Sequence, residues 1–588
     1  MELSLSLLNE LGGSFAAFLP IPSQATNKPT RLATWDSSRL NPKNRIDSLD
    51  LPTEPKWRID GYGLAGCQVF AYPKFIQHNN LPLRVDVFLP DQNEVSEALR
   101  YDLQWPKAAD AIGSNFSGLA ISRYILRALQ SWSDRERDFE EYYTGLPFGS
   151  KIVVEEIALA TQNSRISVTP GFDLERRFLS VKSLQSLWSL PEKGWPPSIQ
   201  LPQVRLVRQI HESISLVQIP HLHGAQIFAM KTHTADPKHL YHELKTLLTM
   251  PPHVNIIKPP LYIVTKKSAF GGKQGVCSFI LEYYSHGTLR DILMSRTLTG
   301  TLALKDQQSW ARQIVSALIH INEKAGSYYS DLKPDNILLV PTSSTEGELT
   351  PLVIDFEQRG NGAPWSHPSI LYTQYLKDIS LSPKVTPDIR SRYDSLFQAH
   401  IAEHISAEDA SHLKKGAKYA NPAHGYNLSW LSLSPQERES AQVHNLGMFL
   451  WCLFEGIPYP HRELWVESAF YPFMPYEFPE MRRSPEDIRK VIRMCMGGSG
   501  VLDVPRRHLG LVRRGSLVIP KGREEDVDIS EDEVVEAARE YWKEEIDRLE
   551  GLWLARDNAG GVVLGQGGMA CGTPTLKEVL IMLEEDID

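Results

Sequence analysis

Cysteine is scarce in this chain. Five occur in 588 residues, Cys67, Cys277, Cys452, Cys495 and Cys571, far apart and without a CxxC pair. An odd and scattered set argues against a disulfide framework and against a cysteine-based zinc site. No run of about 18 apolar residues occurs, so no transmembrane helix and no membrane partner are expected. The start, MELSLSLLNELGGSFAAFLP, lacks a basic stretch and carries Glu2 and Glu10, unlike a secretory signal peptide. A cytoplasmic or nuclear location is the expectation. Excess positive charge is missing too: 62 Lys and Arg stand against 71 Asp and Glu, a net charge of −9. That balance argues against a generally basic nucleic-acid binder. Internal repeats are absent. What is present is ordinary globular composition, with 42% hydrophobic and 23% charged residues. At roughly 150 residues per domain the length accommodates about two to four domains.

The N-terminal third reads as a mixed α/β accessory region, 1–195, without a motif to which chemistry attaches. Residues 20–56, rich in Pro, Ser, Thr and Asn, read as a loop or linker. Strand alternation follows in LRVDVFLP, where Leu83, Val85 and Val87 alternate with Arg84 and Asp86. Phe116–Trp132 has helical spacing of Ile121, Ile125, Ala128, Leu129 and Trp132, and Lys151–Leu159 returns to strand character. Asp173–Leu190 reads as one helix, broken by Pro191 and Pro197. From about residue 200 short strand-like runs at 204–217, 225–231, 262–264 and 278–282 surround a helix at Pro237–Leu248. Helical patterns then dominate, as in Asp306–Lys324, with Trp310, Ile314, Leu318 and Ile321 on one face.

The strongest chemical signal is YSDLKPDNILL, Tyr329–Leu339, followed by IDFEQRG, Ile354–Gly360. Phosphoryl transfer needs a carboxylate near the attacking hydroxyl, a cation near the moving phosphoryl group, and oxygen ligands that hold Mg²⁺ against the nucleotide. Asp331, Lys333, Asn336 and Asp355 are groups of those types.

On these residues the chain resembles the eukaryotic-type protein kinase family. The resemblance implies an α+β, bilobal fold, with a small β-rich lobe and a larger helical lobe over 200–588. It implies that Asp331 orients the substrate hydroxyl and accepts its proton, that Lys333 contacts the γ-phosphate, and that Asn336 and Asp355 bind Mg²⁺. IFAMK, Ile227–Lys231, resembles the strand whose lysine holds the ATP phosphates, with Ala229 beside the base. HLYHELKTLL, His239–Leu248, resembles the αC helix, so that Glu243 would pair with Lys231. HVNII at His253 resembles the family's HPNI turn. Phe279–Leu293 resembles the hinge, with Leu281 as gatekeeper and Glu282 to Tyr284 offering backbone to adenine; Leu338 joins that nucleotide-binding set. Ser440–Gly456 resembles the αF helix and Thr573–Leu583 the last helix of the domain. The implied cofactors are ATP and Mg²⁺, and the implied partner is a protein substrate.

Several positions depart from that pattern. No glycine lies between Gln209 and Val217, where the family brings backbone close to phosphate. Tyr329 and Ser330 stand in place of His and Arg before Asp331, and Ser330 removes the usual partner of a phosphorylated activation loop. Glu357 replaces the DFG glycine and puts a carboxylate near the metal site; Gln442 stands at the αF aspartate. YANP, Tyr419–Pro422, lacks the glutamate of APE. Three readings stay open: an active protein Ser/Thr kinase, a pseudokinase acting as an interaction or scaffold module, and a small-molecule phosphotransferase of related fold. Because every side chain that touches the chemistry is present, the active kinase is preferred.

Two insertions stretch the domain, at about 361–418 and 497–572. The first carries an expected helix over Thr386–Ile405 and reads as a surface insertion or a substrate-docking element. The second is basic at first, with Arg506, Arg507, Arg513, Arg514, Lys521 and Arg523. Glu524–Glu550 then holds 13 acidic and 3 basic residues, with a Ser530–Glu533 capping-box pattern opening a helix. It reads as a solvated acidic helix, or as a docking element within 505–560 for a basic partner. Six of the 18 histidines fall between His211 and His242, with His221 and His223 in an expected hairpin. No cysteine or clustered carboxylate completes a metal set there, so surface histidines are the preferred reading.

Overall fold

In the computed structural model the described residues are in the main 55–63, 68–75, 85–88, 120–158, 160–191, 194–268, 272–342, 348–360, 365–381, 387–402, 418–459, 481–497, 511–514, 517–520 and 573–585. Most of the expected 20–56 linker and the acidic stretch Glu524–Glu550 lie outside them, apart from single positions. Among those, Ser530 and Glu533 do form the capping box: Glu533 N donates to Ser530 Oγ at 3.3 Å and Ser530 N to Glu533 Oε2 at 3.0 Å.

The first sheet holds β1 (Trp57–Gly63), β2 (Gln68–Pro73), β3 (Val85–Phe88), β4 (Lys151–Glu156) and β5 (Arg165–Thr169) in that order. Only β3 and β4 run parallel; helix α1 (Ala120–Arg135) and the short α2 (Phe139–Thr144) lie in the connection between them. The apolar stripe of α1, Ile121, Ile125, Ala128, Leu129 and Trp132, packs on Trp57, Val69, Val85, Val87, Ile152 and Val154 in one core. That is the burial the helical and alternating periods demand.

Asp173–Leu190 is two helices, not one. α3 (Phe172–Arg177) ends at Phe178, and α4 (Val181–Trp188) starts anew on Ser180, whose Oγ accepts from Ser183 N. A serine N-cap satisfies an orphan amide and reopens the helix at a new angle. The break turns Leu174 and Phe178 into the core under the second sheet and Leu184 and Trp188 into the core behind the helix at Pro237–Thr249.

The second sheet has the order β6-β10-β11-β9-β8-β7, built from β6 (Ser198–Gln200), β7 (Arg205–Gln209), β8 (Ile214–Gln218), β9 (Phe228–Thr232), β10 (Tyr262–Lys267) and β11 (Gln274–Glu282). β8 and β9 pair antiparallel as the expected hairpin, and its connection, which holds His221 and His223, forms a helical turn, α5 (Pro220–His223), with Pro220 at its first position. α6 (Pro237–Thr249) crosses from β9 to β10, capped by Asp236, whose side chain accepts from Lys238 N. The rest is mainly helical: α7 (Leu289–Thr299), α8 (Leu304–Glu323), α9 (Pro368–Leu381), α10 (Pro387–Ala402), α11 (Leu428–Leu431), α12 (Pro435–Glu455), α13 (Glu486–Gly497) and α14 (Leu576–Glu585). A hairpin of β12 (Ile337–Pro341) and β13 (Leu349–Val353) lies between α8 and α9. A second, β14 (Leu511–Arg514) with β15 (Leu517–Pro520), sits in the basic half of the second insertion. In the stretch 361–418, read from the sequence as an insertion, the described residues are mainly the helix pair α9 and α10. The largest core joins α6, α8, α12, α13 and α14 to the underside of the second sheet.

Candidate active site

Alternation along β9 places Phe228 and Met230 in one core and turns Ala229 and Lys231 to the other face. There α6 presents Glu243. The Lys231 ammonium, 3% exposed, lies 3.3 Å from Glu243 Oε2, 2.9 Å from Asp355 Oδ1 and 2.6 Å from Glu357 Oε1. Glu243 Oε1 also accepts from Phe356 N at 3.1 Å, which ties α6 to the segment after β13. Glu357 has two further neighbours: His233 Nε2 lies 2.7 Å from the same Oε1, and Arg359 Nη1 lies 3.5 Å from Oε2.

Burial pulls the Lys231 ammonium down, but Asp355, Glu243 and Glu357 outweigh it and hold its pKa well above the lysine value. Burial dominates at Glu243 and pushes it up to about 8 against the pull of Lys231. At Glu357 burial is outweighed by Lys231 and His233, and the carboxyl lies well below the usual range. Burial thus disfavours the charged form of Glu243, while Lys231 and His233 favour that of Glu357.

The second group sits on the loop between α8 and β12. Lys333 Nζ donates to both Asp331 oxygens at 2.9 Å, and Asn336 Nδ2 donates to Asp331 Oδ2 and to its carbonyl, each at 2.9 Å. Burial pushes Asp331 up to about 6, with Lys333 opposing. The loop backbone is held from α12: Gln442 Oε1 accepts from Tyr329 N at 2.9 Å, while Asn445 bonds both Leu332 N and Leu332 O, at 3.2 and 3.0 Å. Gln442 thus supplies an acceptor to the loop that an aspartate was expected to hold. The Tyr329 ring meets Phe356 edge-on at 5.4 Å and shares the core with Leu247.

Three features were not legible. Gln358 clasps the loop: its Oε1 accepts from Ser330 N and Oγ at 3.3 and 3.0 Å, and its amide donates to Tyr328 O. Gln358 and Asp355 both adopt positive φ, +56° and +65°, uncommon for residues other than glycine and held here by the surrounding bonds. Gly425, at φ +87°, allows the close approach, since a Cβ there would lie 2.9 Å from Gln358 Cβ and 3.1 Å from His242 Nε2. His233 is the third. Nothing in residue type or spacing points to any of them, because each depends on which segments meet in space.

A cleft of about 370 Å³ is lined by Asp331, Lys333, Asp355 and Glu357 together with His211, Glu212 and Ser213 of the β7–β8 turn. Of the expected site residues Asp331, Lys333 and Asp355 line it; Lys231 and Glu243 are buried beside Asp355, and Asn336 is bonded to Asp331. Ala229, Leu281, Glu282, Tyr284 and Leu338 do not line this cleft. Ala229 pairs with Leu281 across β9 and β11, Glu282 binds Lys258 Nζ at 3.1 Å and Tyr284 OH at 2.8 Å, and Leu338 lies in β12 with a bridge to Thr288. Asp355, part-exposed beside Asn336, offers the hard oxygen chemistry that suits Mg²⁺. Oxygens of Glu243, Asp355 and Glu357 lie within 4.8 Å of one another, but the Lys231 ammonium already sits among them.

Residues 215–358 match the family model described as protein kinase domain. The chain thus carries a protein kinase-like domain. Domains of this kind in general use ATP and a divalent metal and act on protein substrates or partners. No curated protein is significantly similar to the chain. Among the described residues no helix is long and apolar enough to cross a membrane.

Proposed function

We propose that the chain is a protein kinase that transfers the γ-phosphoryl group of Mg-ATP to a Ser or Thr hydroxyl. The carrying observation is that Asp331, Lys333 and Asp355 line one cleft, with Lys231 and Glu243 buried beside Asp355 and Asn336 bonded to Asp331. The bilobal unit would begin with α3 and α4, whose cores are those of the second sheet and α6. Asp331 accepts the hydroxyl proton; Lys333 and Asn336 hold its carboxylate in place, and a pKa near 6 suits a base working near neutrality. Lys333, within the cleft, is positioned to meet an anionic group. Bound Mg²⁺, held by Asp355 and Asn336, would supply neutralisation of phosphate charge. Lys231 faces the nucleotide phosphates once Glu357 yields it. The 505–560 insertion is the proposed docking element for a protein partner.

A second reading, a nucleotide-regulated binding module without turnover, is favoured by one observation: Glu357 lies closer to Lys231 than Glu243 or Asp355 does. Mg-ATP binding and autophosphorylation decide between them. The wild type is expected to bind and turn over, Asp331→Asn to bind without turnover, and Lys231→Met to lose both. Binding by the wild type without turnover would establish the second reading.

A further inference from the structure

The turn that closes the cleft carries no glycine, so its own backbone cannot settle flat against a phosphate. Residues 210–213 instead form a tight turn in which Ile210 N and His211 N both donate to Ile214 O, at 3.0 and 3.1 Å. Ser213 O accepts from Thr232 N at 2.8 Å, beside Lys231. His211, Glu212 and Ser213 face the cleft. Within the turn Ser213 N also donates to His211 Nδ1 at 3.4 Å, and a second restraint reaches the turn from outside.

The first sheet meets the second at that place. β1 is an edge strand of one and β7 an edge strand of the other. The two do not pair as a ladder; they meet at irregularities. The register of β1 against β2 shifts between Ile59 and Gly61, leaving Asp60 as the extra residue. The register of β7 against β8 shifts between Leu206 and Arg208, leaving Val207. A bulge bends its strand and re-aims a side chain. Here Asp60, 5% exposed, accepts from Gln209 N at 2.8 Å, the last residue before the turn. Arg58 Nη2 donates to Val207 O at 2.9 Å and to Asp60 Oδ2 at 3.0 Å, and Arg58 Nε to Asp60 Oδ1 at 2.5 Å. Gln209 passes the restraint on, because its Nε2 donates to His211 O at 3.1 Å.

We infer that the N-terminal sheet is a positioning element for the nucleotide-facing turn, and that Asp60 is its positioning residue. The proposal rests on the phosphotransfer reading for its functional consequence, but not for its structural one. A buried carboxylate that receives a backbone amide and an arginine is held rigidly, and a charge-assisted bond of this kind is among the stronger ones in a fold. A restraint supplied by another sheet takes over what glycine-rich backbone would otherwise do by close approach. The N-terminal region then acts on the cleft without contributing a residue to it.

The test uses the full chain with Asp60→Ala and Asp60→Asn. Amide exchange of the peptide spanning 204–216 is expected to speed up about tenfold in Asp60→Ala, and less in Asp60→Asn, which keeps an acceptor for Gln209 N. Near-ultraviolet dichroism of the Trp57 cluster reports whether the first sheet remains folded; should Asp60→Ala lose it, Asp60→Asn alone decides by the same exchange readout. The apparent KM for ATP is expected to rise about tenfold in Asp60→Ala with kcat within twofold, a split that a general loss of folded protein would not give. Unchanged exchange over 204–216 in a folded variant overturns the inference. So does unchanged KM in a chain that turns over. A wild type that binds no Mg-ATP overturns the phosphotransfer reading instead, and exchange still decides the role of Asp60.

Discussion

Glutamate in place of glycine after an Asp–Phe pair adds a carboxylate where only backbone would pass. Glu357 uses it to hold Lys231 at 2.6 Å, in competition with any phosphate that would take the same ammonium. Its charge also adds to the upward shift of Glu243, since a third carboxylate beside one lysine raises the cost of ionising the others. Glu357→Gly is therefore expected to tighten Mg-nucleotide binding by about tenfold, through release of a buried, charge-assisted contact. Titration with a fluorescent nucleotide checks this, and weaker binding by the variant would mean that Glu357 helps to build the site. At this scale the sequence was readable wherever chemistry demands a residue type at a fixed spacing, as at Asp331, Lys333 and Asn336. It was silent on Gln358 and His233, whose roles come from which backbone lies across from them.

Elements were legible where a period runs long enough. The stripe of α8 and the alternation of β9 follow from repeated burial of one face. The break between α3 and α4 was not legible, because Phe178, Leu179 and Val181 continue the apolar spacing and only the Ser180 cap interrupts it. The consequence is a tie across the fold: α4 reaches the segment after α10, where Trp188 Nε1 donates to Tyr419 OH at 2.8 Å and Asn421 Nδ2 donates to Leu187 O at 2.8 Å. α12 does comparable work beneath the catalytic loop. Gln442, 2% exposed, is the acceptor for Tyr329 N, and Gln442→Leu would leave that amide buried and unsatisfied. The expected cost is about 1–3 kcal/mol of stability, with kcat falling more than nucleotide affinity because the displaced loop carries Asp331. Gln442→Glu keeps an acceptor oxygen and should retain most turnover. Thermal denaturation and single-turnover assays read both effects, and full activity in Gln442→Leu would show that Asn445 alone suffices.

For the whole molecule the net charge of −9 says less than the placement of its neutral groups, because Glu524–Glu550 alone accounts for the acidity. Several histidines are sealed in the fold. Burial lowers His242 to about 3 and His367 to about 4, and it drives His444 well below the ordinary value, with His367 adding to the effect. His242 joins α6 to the loop around Gly425 and Tyr426. His444, on α12, meets the His367 ring edge-on at 5.1 Å, and neither of its ring nitrogens has a hydrogen-bond partner among the described residues. These groups stay neutral in the folded chain but take up protons near pH 6.5 once unfolded, so the unfolded state binds more protons between about 6.5 and the folded pKa values. Their stabilising contribution is complete above pH 6.5 and is lost as pH falls below it. The buried carboxyls Glu243 and Asp331 act with the opposite sign, since their raised pKa values favour the folded state at lower pH. The histidines outnumber them, so the melting temperature is expected to decline from pH 6.5 towards pH 5. His444→Leu removes one of the titrating groups and fills its place with apolar volume that needs no partner. It should melt at or above the wild-type temperature at pH 7.5 and gain further on the wild type at pH 5. An equal difference between the two proteins at both pH values would show that His444 takes no part in the acid sensitivity.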